Sequence, residues 1–162
     1  CKICLIMNKN AVIGIGNPLR SDDGIGIILL NKLIKIKDNF QNIDFIDGGT
    51  GGFNLLHDLK KYEKILIIDA VNVNKKPGEY NFFDIRKIND YKKINFNIST
   101  HNQNFLDIIS LSEKLEEKPD KIYFFAVQPK NLSFNNKISF ELEKNIKKYI
   151  NELTIKIKEN MI

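Results

Sequence analysis

The chain lacks the long apolar stretches and cysteine clusters that mark several protein classes. No apolar run reaches about 18 residues, so no membrane-spanning helix is expected. There are only two cysteines, Cys1 and Cys4, and this single Cys-x-x-Cys has no second pair to complete a zinc site. A chain with no other thiols fits a reducing cytoplasm, which is the compartment we expect.

Runs of basic residues are also missing, although 25 lysines and arginines outnumber 20 acids. No five or six consecutive residues are basic, and aromatic residues do not alternate with cations as they do in proteins that hold single-stranded nucleic acid. We therefore interpret the net charge of +5 as solvated lysine on helix surfaces, and we expect no nucleic-acid partner.

The first ten residues differ from the rest of the chain. Cys1 is not an initiator, and Met7 comes directly before three polar residues and the first apolar run. Residues 1–6 are too short for a secretory signal. We predict that residues 1–10 are a peripheral extension and that residues 11–159 form one domain, a length sufficient for a complete core.

Apolar runs of strand length alternate with segments of helical periodicity along this domain. Strands alternating with helices predict a three-layer α/β/α sandwich around a twisted, mainly parallel sheet of about five strands. The predicted strands are 11–15, 43–46, 64–69, 79–83 and 121–127, and the predicted helices are 23–37, 53–61, 103–115 and 139–157.

Acidic residues and one histidine follow the predicted strands. Asp22 and Asp23 come after the first strand, Asp47 and Asp69 end the second and third, and His101 begins a helix. Ligands of open α/β sheets bind beyond the carboxyl ends of the strands, so these side chains should meet at one edge. Two carboxylates and an imidazole suit Ni²⁺, Zn²⁺, Mn²⁺ or Fe²⁺, and three protein ligands leave positions open for substrate or water.

Each of these residues also has a structural interpretation. Ser21 or Asp22 can cap the helix by accepting hydrogen bonds from its first amides. Asp47 can bind the amides of the glycine turn that follows it. His57 is expected on the surface of a short helix. A purely structural role is harder to assign to Asp23, Asp69 and His101, because all three are expected at the same edge of the sheet.

Other chemistries fit the sequence poorly. Gly14-x-Gly16 has Leu19 where a dinucleotide-binding loop needs its third glycine, and Asp22 and Asp23 would repel a pyrophosphate. Neither the Gly-Lys-Ser/Thr of a P-loop nor a Gly-x-Ser-x-Gly elbow is present. The sequence therefore offers no nucleotide site and no conventional acyl-enzyme nucleophile.

Five short motifs follow one another along the chain. They are Gly14-Ile-Gly-Asn-Pro-Leu-Arg-Ser-Asp-Asp-Gly-Ile-Gly26, Asp47-Gly-Gly-Thr50, Leu66-Ile-Ile-Asp-Ala70, Pro77-Gly-Glu79 and Ser99-Thr-His101. Together they resemble those of the hydrogenase maturation proteases, in the order typical of that family. The resemblance runs from residue 11 to about 153, and Thr100-His-Asn102 and Val127-Gln-Pro129 look most like the branch that serves formate-hydrogenlyase-type hydrogenases.

The resemblance implies an endopeptidase that removes the C-terminal extension of the [NiFe]-hydrogenase large-subunit precursor after nickel insertion. The precursor's nickel is the recognition signal, and no organic cofactor is implied. By position, the family's metal-binding and catalytic roles fall on Asp23, Asp69 and His101. These would complete the coordination of nickel held by precursor cysteines, and either the metal or a carboxylate acting on water would promote attack on the peptide.

Several alternatives stay open at this point. A carboxylate base needs a raised pKa, from burial or from a like-charged neighbour such as Asp22 beside Asp23. The same ligands would serve a non-catalytic nickel-dependent binding module or chaperone that checks metal loading of the precursor. A different peptidase, or a small-molecule hydrolase on the same scaffold, is a third reading. We expect a monomer.

Overall fold

The computed structural model describes residues 9–50, 59–84 and 119–162, and these contain a five-stranded sheet with helices. The strands lie close to their predicted positions. They are β1 (Asn10–Gly14), β2 (Ile43–Asp47), β3 (Lys64–Ala70), β4 (Tyr80–Asp84) and β5 (Lys121–Val127). The helices are α1 (Ile25–Ile34), α2 (Phe140–Glu143) and α3 (Ile146–Asn160), with 3₁₀ turns at Ser21–Gly24 and Lys37–Asn39.

The sheet has the strand order β2-β1-β3-β5-β4. β1 pairs in parallel with both β2 and β3, β3 pairs in parallel with β5, and only β4 runs antiparallel, at one edge. This confirms the mainly parallel five-stranded sheet. The chain leaves β1 towards β2 on one side and returns to β3 on the other, which makes the space between β1 and β3 the topological switch point.

Both faces of the sheet are buried, as a three-layer fold requires. On one face, Val12 and Leu66 pack with α1 and α3 through residues such as Leu29 and Leu153. The opposite face has its own buried cluster. Fully burying an aliphatic side chain of this size contributes about 1.5–3 kcal/mol, so these two layers supply most of the driving force for folding. The second cluster contains Ala11, Ile13, Ile15, Leu59, Ile65, Ile67, Val71, Ile122, Phe124 and Ala126.

The helices depart from the predictions at their ends. The segment predicted as one helix over 23–37 begins as a 3₁₀ turn and becomes α-helical only over Ile25–Ile34. The helix predicted over 139–157 is two helices, α2 and α3, and its predicted apolar face is correct, since Leu142, Tyr149 and Leu153 are all buried. Helix periodicity specifies the buried face, whereas the ends depend on contacts made elsewhere.

Some sequence predictions fall outside the described residues. These include the helix over 103–115, most of the helix over 53–61 and most of the extension at residues 1–10. Across the three described ranges, no helix combines the length and the apolar character needed to cross a membrane.

Candidate metal and catalytic site

The glycine turn after β1 brings the backbone of three segments into contact. The Ile15 amide donates to the carbonyl of Ile68 at 2.9 Å, and the Gly16 amide donates to the carbonyl of Gly49 at 2.7 Å. Gly16 has φ +140°, and a Cβ there would lie 1.8 Å from the carbonyl oxygen of Asp23. Only glycine lets the chain fold back this closely, so this residue fixes where Asp23 lies.

Asp23 lies in the 3₁₀ turn and is almost fully buried, at 1% exposed. Its Oδ2 accepts a hydrogen bond from the Asn17 amide at 3.1 Å. The Asn17 side chain in turn accepts from the Leu19 amide at 3.0 Å, which shapes the loop between the strand and the 3₁₀ turn. The carboxylate therefore belongs to a compact loop whose own backbone orients it.

Asp69 lies at the carboxyl end of β3, on the other side of the switch point. It is also 1% exposed, and its Oδ1 accepts a hydrogen bond from the Ala70 amide at 2.7 Å. Side chains alternate along a strand, so Asp69 shares its face with Ile65 and Ile67, both fully buried. A carboxylate at the end of such an apolar row is poorly solvated.

Burial raises the pKa of Asp69 well above its usual value of 3.8, and the negative charge of Asp23 raises that pKa further. The hydrogen bond from Ala70 acts in the opposite direction but is the smallest of the three effects. The ionised form of Asp69 is therefore disfavoured, and a proton or a nearby cation would stabilise this carboxyl group. From the sequence, Asp22 beside Asp23 was the like-charged pair expected to raise the pKa of a carboxylate base. In the structure, the pKa that is raised is that of Asp69, and the like-charged neighbour is Asp23.

Asp22 does not cap a helix, so that prediction is wrong. No side-chain cap hydrogen bond is made at the start of the 3₁₀ turn or of α1. The fully buried Asp22 instead accepts from the amides of Lys130, Asn131 and Ser139 at 2.8, 2.9 and 2.6 Å, and from the Ser139 hydroxyl at 2.8 Å. No local pattern could have indicated this, because the partners lie more than 100 residues further along the chain.

Gln128 is a second residue whose role the sequence did not indicate. It follows the end of β5, and its Oε1 accepts from the amides of Val73 and Lys75 at 2.8 and 3.3 Å. These amides belong to the loop after β3. Gln128 thus ties that loop to β5 at the same edge of the sheet as Asp69.

The remaining candidates have simpler outcomes. Asp47 binds the turn that follows it, since its Oδ1 accepts from the Gly49 amide at 2.8 Å, which confirms its predicted structural role. His101 and His57 lie outside the described residues, so the part of His101 stays a prediction. Within residues 9–50, 59–84 and 119–162, no group of three or more metal-binding side chains occurs. The structure thus brings Asp23 and Asp69 together as a pair.

Comparison with known proteins matches this chain to one family. The model of the HycI family of hydrogenase maturation proteases matches residues 27–159. A putative hydrogenase maturation protease of Methanocaldococcus jannaschii is 31% identical over 159 residues, which cover 93% of this chain and 89% of that protein. The hydrogenase 2 maturation protease of Escherichia coli is 29% identical, with 75% of this chain and 73% of that protein covered.

Some relatives are longer proteins, and the match spans less than two thirds of their length. HupD of Rhizobium leguminosarum, a hydrogenase expression/formation protein, is 26% identical, and the match covers 75% of this chain but 59% of HupD. Among solved structures, the hydrogenase-maturating endopeptidase HybD from E. coli matches with a TM-score of 0.79 at 24% identity, covering 94% of each chain. That likeness confirms the α/β fold. By the match to the family model and to the M. jannaschii relative, this chain belongs to the hydrogenase maturation protease family.

Proposed function

We propose that this protein is an endopeptidase that removes the C-terminal extension of the [NiFe]-hydrogenase large-subunit precursor after nickel insertion. The observation that carries the proposal is the pair of buried, mutually repelling carboxylates of Asp23 and Asp69 at the switch point of the sheet. Family membership supports proteolysis in hydrogenase maturation as the reaction class. The nickel belongs to the precursor substrate, and no organic cofactor is needed.

The donor set fits a divalent cation. Burial and the charge of Asp23 disfavour the ionised form of Asp69, and a cation bound by the two carboxylates would offset this penalty. With His101 as a nitrogen ligand, the set would be mixed oxygen and nitrogen, which suits nickel. A precursor whose nickel meets these ligands would have its scissile peptide held at the carboxyl edge of the sheet, and such positioning alone accelerates a reaction.

Asp69 is the residue suited to be the general base. Its raised pKa makes it a better proton acceptor from water than an ordinary aspartate. In the proposed step, water attacks the carbonyl carbon of the scissile peptide while a carboxylate accepts the water proton. That proton is then passed to the leaving amine as the C–N bond breaks, which releases the extension. Before nickel enters, the charge of Asp23 helps to keep the pKa of Asp69 high; with the precursor's nickel held there, Asp23 would serve as a metal ligand and the cation would offset that repulsion.

The test is cleavage of nickel-loaded precursor, followed by mass spectrometry of its C-terminus. We expect Asp23→Asn, Asp69→Asn and His101→Ala to reduce the rate at least about 100-fold, the lower bound for loss of a general base. Asp47→Asn is the matched control, because Asp47 ends a neighbouring strand but is exposed. Wild-type rates in all three variants would overturn the site.

The same experiment separates the other readings. Binding of nickel-loaded precursor without a shortened C-terminus would favour a non-catalytic module that checks metal loading. Cleavage of unrelated peptides without nickel would favour a different hydrolase on this scaffold. We also predict a monomer, a cytoplasmic location and membership of the formate-hydrogenlyase-type branch. The branch is tested by comparing which hydrogenase precursors the protein cuts.

A further inference from the structure

Two large apolar side chains stand exposed beside the candidate site. Phe134 is 85% exposed and Leu19 is 64% exposed. The guanidinium carbon of Arg20 lies 6.0 Å from the centroid of the Phe134 ring, within range of a cation–π contact. We call Leu19, Arg20 and Phe134 the rim patch. Apolar side chains grouped in this way on a surface mark interaction sites more often than isolated ones do.

The two segments that carry the rim patch are joined through their backbones. The Asn135 amide donates to the carbonyl of Leu19 at 3.0 Å, and the Ser21 amide donates to the carbonyl of Asn135 at 2.6 Å. The side-chain Nε of Arg20 donates to the carbonyl of Leu132 at 3.3 Å. The exposed side chains therefore project from a backbone that is already fixed.

Asp22 anchors the loop that carries Phe134. Its carboxylate accepts hydrogen bonds from the amides of Lys130 and Asn131, which precede Phe134 in the chain, and of Ser139, which follows it. An aromatic side chain held on a preformed loop loses little conformational entropy when a partner covers it. Aromatic residues and arginine in such positions are the residues that most often dominate binding energy.

The rim patch is continuous with the candidate site. Asn17 donates its amide to Asp23 and accepts the amide of Leu19 on its side chain, so one residue bridges carboxylate and patch. An extended polypeptide advances about 3.3–3.6 Å per residue. A peptide held at Asp23 would therefore reach the patch within a few residues of the bond that is cut.

We propose that the rim patch is a docking surface for the hydrogenase large-subunit precursor. Leu19 and Phe134 would bury an apolar side chain of the polypeptide next to the cleaved bond, and Arg20 would face an acceptor oxygen of that polypeptide. The inference rests on the proposed function, because it takes the precursor as the partner. None of the three residues touches the reacting atoms, so they contribute to affinity and specificity rather than to the chemical step.

The experiment measures cleavage of nickel-loaded precursor by Leu19→Ser, Phe134→Ser and the double variant. Loss of binding that is equal in the ground and transition states raises KM and leaves kcat unchanged. We expect the double variant to raise KM at least about tenfold, with kcat within about twofold of the wild type. Ile155→Ser is the matched control, since Ile155 is 47% exposed but lies on α3.

Affinity for the same nickel-loaded precursor is measured alongside by calorimetry, so that the rim patch is tested even if the wild type cuts nothing. The double variant is expected to bind at least about tenfold more weakly, while its melting temperature stays at the wild-type value. Unchanged affinity and KM in the double variant would overturn the docking surface and leave the proposed protease intact. Wild-type binding without cleavage, weakened by the double variant, would support the surface and overturn the protease.

Discussion

Replacing Asp22 with alanine should destabilise the protein strongly, although Asp22 is not expected to bind metal. Its two carboxylate oxygens accept the amides of Lys130, Asn131 and Ser139 and the hydroxyl of Ser139. Alanine leaves three backbone donors and a hydroxyl without this acceptor. The 3₁₀ turn that carries Asp23 would lose its carboxylate contacts with the loop after β5 and be held to that loop by the backbone hydrogen bonds from Ser21 to Asn135 and from Asp22 to Asn131.

The expected loss follows from the number of donors. A buried donor that loses its acceptor costs about 1–3 kcal/mol. Lys130 is exposed and the other two donors are only half-buried, so water can reach them and the lower end applies. The total is about 3–5 kcal/mol, a large share of the 5–15 kcal/mol that holds a typical domain folded. For a chain of this length, that lowers the melting temperature by roughly 6–20 °C.

Urea and thermal unfolding of metal-free protein measure this loss directly. Asp47→Ala is the control, because that exposed carboxylate accepts one amide, from Gly49, and its removal should cost under about 1 kcal/mol. Asp22→Asn should fall between the two, since it keeps one acceptor oxygen but turns an NH₂ group towards donors. A loss of less than about 1 kcal/mol in Asp22→Ala, or one equal to that of the control, would refute the network as a stabilising feature.

Two further substitutions test the site residues through stability. Since burial raises the pKa of Asp69 in the folded state, its ionised form destabilises the fold at neutral pH, and this penalty disappears as the pH falls towards the unfolded value near 3.8. Metal-free Asp69→Asn should therefore melt higher than the wild type at pH 7, with a difference that shrinks towards pH 4; a pH-independent difference would contradict the assignment. Gly16→Ala should cost about 3 kcal/mol or more in denaturant titrations, because its Cβ would collide with the backbone of Asp23. Gly49→Ala, also at positive φ but with open space around it, should cost only about 1 kcal/mol, and equal losses would argue against the close approach.

Local patterns in the sequence were sufficient for the strands and for the edge at which the site lies. The run at 121–127 is a strand over the same residues, and the apolar run before Asp69 forms β3. These predictions succeed because a buried parallel strand must be apolar along its whole length, and that property is visible in the residues themselves. The acids that follow the strands then fall at the carboxyl edge for the same reason.

The roles of the neighbouring acids could not be read from local patterns. Asp22 and Asp23 are adjacent in sequence and both buried, yet Asp22 binds the distant loop at 130–139, whereas the charge of Asp23 acts on Asp69. Its position in the sequence predicted that Asp22 caps a helix. In the structure, hydrogen bonds from donors more than 100 residues away offset the cost of burying its carboxylate. The partner of a buried side chain depends on which distant segment packs against it, and no local sequence pattern specifies that packing.

The sequence by itself determined the α/β class, the five strands and the glycine turn that makes Asp23 a candidate, because burial and backbone sterics act through near neighbours. The tertiary structure alone decided that Asp69 carries the raised pKa, that Asp22 joins two distant loops, and that the segments carrying Leu19 and Phe134 are hydrogen-bonded to each other. Each of these depends on contacts between segments distant in sequence. Their energies come from burial and charge, which exist only once the chain has folded.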